Sequence, residues 1–107
     1  MTLTDLAKKL NELGYPVAYS HFKSEQTLPF ICYLVTEVDT FSADNRVISE
    51  STYVDIELYV DKKNPEAEQK IKTMLNNNEL PYSYYEIFIK DEEVFKCTFS
   101  TKLINSN

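Results

Sequence analysis

A few groups in this sequence have residue types that do chemistry. His21, the only histidine, lies in PVAYSHF, Pro16–Phe22. A histidine works as a general base when a nucleophile and an orienting partner lie within reach, and no serine or cysteine spacing around His21 suggests such a triad. Cys32 and Cys97 have no CxxC neighbour and no supporting histidines. Two buried free thiols is the simplest reading, with a disulfide between them left open. The acidic clusters are Asp91–Glu93, which reads as a hairpin tip, and the pair Asp55/Glu57, which reads as the solvent side of a strand. A metal-dependent nuclease would need a nearby lysine base or a third fixed carboxylate beside them. With one glycine in the chain, a phosphate-cradling loop is excluded. The expectation is no catalytic residue, no metal site, no cofactor and no enzyme.

Binding chemistry is better represented. The stretch DTFSADNRVISES, Asp39 to Ser51, contains no glycine or proline, carries both signs of charge and holds Phe41 among polar residues. It lies between two runs that read as strands, so the expectation is a long polar connection projecting as an arm. Connections longer than about five residues are uncommon in hairpins and often functional. Phe41 is then either tucked back on the domain or presented to a partner. Tyr53, Asp55 and Tyr59 fall on the wet side of the following strand and form a second candidate contact surface.

These residues need a scaffold. At 107 residues the chain has room for one core and one domain, residues 1–107. Its 43% apolar and 26% charged composition is that of a globular chain. Eight tyrosines suit half-buried sheet faces and interfaces. The net charge of −6, with scattered lysines, argues against a nucleic-acid binder. No apolar run approaches a membrane span and no signal peptide opens the chain, so the expected site of synthesis and action is the cytoplasm.

In TLTDLAKKLNELG, Leu3, Leu6, Ala7, Leu10 and Leu13 recur at helical spacing, and Gly14 followed by Pro16 ends the helix. Pro16–Phe22 reads as a short strand. Pro29–Asp39 reads as a nearly continuous apolar strand, covered on both faces or central in the sheet. In VISESTYVDIELYV, Val54, Ile56, Leu58 and Val60 alternate with Tyr53, Asp55, Glu57 and Tyr59, which predicts one buried face. NPEAEQKIKTMLNNN has Asn64 as N-cap, Pro65 at the first position and an apolar stripe of Ala67, Ile71, Met74 and Leu75. A last hairpin turns near Asp91–Glu93, and residues 105–107 read as a frayed tail. The expected fold is α+β in the order α-β-β-β-α-β-β, with both helices on one face of a mostly antiparallel sheet of four to five strands.

YPVAYSHF (Tyr15–Phe22), LPFICYL (Leu28–Leu34), FSADNRV (Phe41–Val47) and YVDIELYVDKKNPEAEQKI (Tyr53–Ile71) occur in this order over most of the chain. In this pattern the sequence resembles tail-terminator or tail-completion proteins, the head–tail connection proteins of long-tailed phages and prophages of Gram-positive bacteria. The likeness is one of overall pattern, with no catalytic motif. It implies a structural subunit that assembles into a ring, typically a hexamer, caps the tail tube and ends its polymerisation. The implied partners are further copies of the chain, the major tail tube protein and a head connector or stopper protein, with DNA passing through the lumen without specific binding. The implied location is the host cytoplasm during assembly and then the head–tail junction. On that reading Phe41, Asp44, Asn45, Arg46, Tyr53, Asp55 and Tyr59 are the candidate subunit or tail-tube contacts. A head-completion or stopper protein on the portal side, and a monomeric module that binds a host protein, are the alternatives.

Overall fold

The computed structural model describes residues 1–106. Helix α1 spans Leu3–Asn11 and is followed by β1 (Val17–Tyr19), β2 (Phe30–Ala43) and β3 (Arg46–Val60). Helix α2 (Pro65–Asn77), β4 (Tyr82–Ile89) and β5 (Val94–Ser106) complete the chain. The fold is α+β, with the helices against one five-stranded sheet of order β1-β2-β3-β5-β4. All pairs are antiparallel except β1–β2.

Local chemistry sets the helix ends. Thr2 caps α1 by accepting from the Asp5 N–H, while the Asp5 carboxylate accepts from the Thr2 N–H, both at 3.1 Å. These bonds hold the Asp5 carboxyl below its usual pKa. Gly14, at φ +96°, occupies a conformation that other residues adopt only with strain. Asn64 caps α2 through the Ala67 N–H at 3.0 Å, with Pro65 in the first turn.

The helices bury Leu6 and Leu10, and Ala67, Ile71 and Leu75, on Ile31, Val54, Ile56, Leu58, Phe99 and Leu103 of the sheet. Fully burying each large aliphatic or aromatic side chain is worth roughly 1.5–3 kcal/mol. The alternation of Val54, Ile56, Leu58 and Val60 is thus the core face of β3, as expected. Among the described residues no helix lies on the opposite sheet face. The segment between β1 and β2 lies over one corner of it: Phe22 packs edge-on against Phe30 at 5.4 Å, and Phe30 stacks on Tyr59 at 4.9 Å. This cover explains why the start of β2 is apolar on both faces.

Three sequence expectations need correction. The strand expected at Pro16–Phe22 is three residues long, because at Ser20 (φ 68°) the chain turns away after its N–H meets Tyr33 O. The expected frayed tail is instead strand: β5 reaches Ser106, with Asn105 opposite Glu50, and only Asn107 lies outside the described residues. The third concerns Asp39–Ser51, which is no loop.

A candidate interaction surface built on a β-ribbon

Strands β2 and β3 stay paired through the whole of Asp39–Ser51 and close at Ala43↔Arg46. The turn is only Asp44 and Asn45, at φ 52° and 62°. A two-residue hairpin turn of the primed type needs two positive φ values, and Asp and Asn tolerate them better than other side-chain residues. Polarity misled the sequence reading, because a ribbon wet on both faces lacks the apolar alternation that marks a half-buried strand.

The ribbon outruns its neighbours. β1 accompanies β2 only along Ile31–Tyr33, and β5 follows β3 no further than Ser49. Register shifts occur between Val35 and Glu37 and between Phe41 and Ser42. Such bulges bend a strand and sharpen its twist. The molecule measures 51 × 27 × 23 Å, longest in one direction. Phe41 is 65% exposed and Val38 49%, so Phe41 is presented rather than tucked back. Residues 37–50 hold Glu37, Asp39, Asp44 and Glu50 against Arg46, a net charge of −3 and half the −6 of the chain.

Of the candidate contact residues, the ribbon brings Phe41, Asp44, Asn45 and Arg46 together near its tip. Tyr53, Asp55 and Tyr59 do not join them. Ser49, the partner of Phe41, is ten residues from Tyr59 along β3, which is about 34 Å of extended chain. These three are also engaged within the chain. Tyr53 has the Lys102 ammonium 5.7 Å from its ring centre, and Asp55 accepts from Ser100 Oγ at 2.6 Å. The Tyr59 hydroxyl donates to Glu57 at 3.2 Å, and burial first, then Glu57, pushes its pKa upward. They belong to the packing of the outer sheet face.

A polar cluster that sequence reasoning missed lies at the other end of the sheet. Lys63 Nζ lies 2.9 Å from Glu68 Oε2 and from Glu86 Oε1, and 3.2 Å from the Tyr84 hydroxyl. The Tyr84 oxygen is 2.9 Å from each carboxylate, so its single proton serves one of them at a time. Cys97 Sγ lies 3.7 Å from Glu86. The Glu68, Glu86 and Cys97 ligand atoms converge as a divalent cation would require. The ammonium of Lys63 already provides the counter-charge, however, and burial raises the Cys97 pKa, keeping it a thiol. Hydrogen bonds donated to Glu68 and Glu86 hold Lys63 charged, and Lys63 followed by Tyr84 holds the Glu86 carboxyl below its usual pKa. The arrangement is an ion-pair clamp between α2 and β4. Its members stand up to 23 residues apart, so no local spacing signals it.

Cys32 and Cys97 are both buried free thiols, Cys32 with its pKa pushed up to about 11 by burial and then by Glu57. His21 is exposed, with Nδ1 3.2 Å from Ser20 Oγ. No helix among the described residues is long and apolar enough to cross a membrane. In comparisons with known proteins, no family model matches the sequence and no curated protein matches it.

Proposed function

We propose that this protein is a structural assembly subunit of a phage head–tail junction, a tail terminator that forms a ring, of six copies, on the end of the tail tube. The observation that carries the reading is the exposed ribbon: an arm with an apolar residue at its end, built on a rigid sheet and reaching beyond its own domain. Exposed aromatic anchors supply much of the energy of protein contacts, while surrounding charges set specificity and orientation. Phe41 is such an anchor, with Asp44 and Arg46 beside it. A ring needs one surface that reaches a neighbour and a different one that receives it, and an arm on one side of the subunit provides the first.

The acidity of the ribbon supports the same reading. A negative arm near the lumen would keep DNA from adhering as it passes. The partners on this reading are neighbouring copies, the tail tube protein and a head-side connector, with no cofactor and no catalytic step.

Native mass spectrometry over a wide concentration range, checked by light scattering, tests the proposal. A discrete closed ring supports it, six subunits above all. A monomer at every concentration counts against it and favours a monomeric binding module.

A further inference from the structure

The sheet has two open edges, at opposite ends of its strand order. One is β4, Tyr82–Ile89; the other is the part of β2 beyond its short pairing with β1. Open edges carry unpaired N–H and C=O groups and invite another strand. From this topology we infer that the β4 edge of one copy adds antiparallel to the ribbon edge of β2 in the next copy, making one sheet continuous from subunit to subunit. This rests on the ring reading for its closure, and it names the surfaces that such a ring would join.

Direction and pleat both allow it. Strands β2, β3, β5 and β4 are successively antiparallel, an even number, so β4 runs opposite to β2. When every copy points the same way, β4 therefore meets the next β2 antiparallel, the head-to-tail contact that closes rings. Pairing β4 with β4 would give a two-fold dimer instead.

Hydrogen-bonding direction follows from the bonds at the edge. Ile31 N–H donates to Pro16 O, Tyr33 O accepts from Ser20 N–H, and Val35 N–H donates to the Tyr19 hydroxyl. Odd residues thus face the edge as far as Val35. The bulge at Thr36 shifts the register by one, so beyond it Val38 and Thr40 face outward, with Val38 opposite Thr52 on the helix side. The same alternation, carried without a shift across β3 and β5, turns Tyr84, Glu86 and Phe88 toward the β4 edge, also with their side chains on the helix side. Residues that exchange hydrogen bonds across an antiparallel pair must share a face. These two edges satisfy that condition, so the helices of successive copies stay on one side.

One register is favoured among those that keep the faces matched. With Val38 opposite Phe88, Phe41 falls opposite Tyr85. These four residues are 49%, 52%, 65% and 49% exposed, and all are covered by the one pairing. Cross-strand aromatic and aliphatic pairs are the main side-chain stabilisation of a sheet. Moving the register by two residues places Val38 opposite Glu86 or Lys90; in the second case Phe41 still meets Ile87, but in both Val38 loses its apolar partner. The same register sets Ala43 opposite Ser83 and Glu37 opposite Ile89, so the eight residues of β4 end where the ribbon turns. Strand addition of this kind draws affinity from the main chain and specificity from alternate side chains.

Oxidative cross-linking tests the register. Phe41 and Tyr85 would form a non-hydrogen-bonded pair, whose close side chains suit a disulfide. The full-length double variant Phe41→Cys/Tyr85→Cys should give a ladder of covalent multimers that reductant collapses. The off-register control Phe41→Cys/Ser83→Cys should give none. Thr40→Pro, at a position whose N–H faces the open edge, should leave the melt unchanged and abolish self-association. A wild-type oligomer whose Phe41/Tyr85 variant forms no ladder overturns the edge pairing and leaves the ring reading standing. Equal ladders from both cysteine pairs overturn the register. A monomer without cross-links at every concentration overturns both inferences.

Discussion

Nζ of Lys63 lies 2.9 Å from Oε1 of Glu86, although 23 residues separate them in the chain. The contact fastens the start of α2 to the edge strand β4, and Glu68, buried on α2, shares the same ammonium. Replacing Lys63 by methionine should therefore leave a buried carboxylate without its counter-charge. We expect a loss of about 2 kcal/mol, below the range for fully buried pairs because the lysine is half exposed. Urea denaturation of the variant measures it; an unchanged midpoint would mean that solvent already screens the clamp.

The same clamp predicts an acid-sensitive fold. Glu86 has a folded-state pKa lowered by Lys63 first and Tyr84 second. A depressed carboxylate pKa contributes stability that is complete above the unfolded value, about 4.3, and is lost as pH falls through the folded one. Asp5 in the capping box has the same sign. Stability should fall below that pH, and Glu86→Gln should flatten the acid limb of a melting-temperature profile.

The turn offers an independent check on the ribbon. Asn45 stands at φ 62°, where glycine is unstrained. Asn45→Gly should be neutral to stabilising by about 0.5 kcal/mol, and Asn45→Val should cost about 1–2 kcal/mol. If both variants melt like the wild type, the tip is not a two-residue turn.

Phe41→Ala with Arg46→Glu should change stability by less than about 0.5 kcal/mol, since both residues are exposed. Ile56→Asp, by contrast, sets a charge in a fully buried position and should cost about 4 kcal/mol. Circular dichroism melts separate the two. A double variant that unfolds would place Phe41 in the core.

Native Cys32 and Cys97 should resist alkylation at pH 8, since both are buried and their pKa values are raised. Denaturant should release two titratable thiols. Fast labelling of the folded protein would show that the segment over Cys32 opens.

The body of the fold was legible because burial writes a period into sequence. Leu6 and Leu10, Ile71 and Leu75, and Val54 to Val60 each follow the repeat of their element. Where burial stops, so does the signal. Thr36 to Ser49 extend as strands with both faces in water, and nothing in their side chains records the pairing except the turn at Asp44–Asn45. Lys63, Glu68, Tyr84 and Glu86 illustrate the other limit, since convergence from separate elements leaves no spacing to read. Tyr53, Asp55 and Tyr59 were placed correctly on the outer face, but their partners Lys102, Ser100 and Phe30 come from distant strands.

The bulge at Thr36 has a consequence for how such a chain can vary. The extra residue is absorbed on the spot: Val35 pairs with Val54 and Glu37 with Tyr53, so the residues on either side of Thr36 keep the faces of their β3 partners. Removing Thr36 would leave Val38 opposite Thr52 and Phe41 opposite Ser49, on the faces they hold now. What would change is the bend and twist that aim the arm. A single residue gained or lost at a bulge therefore redirects what the arm can grip, without turning it over or disturbing how the domain folds.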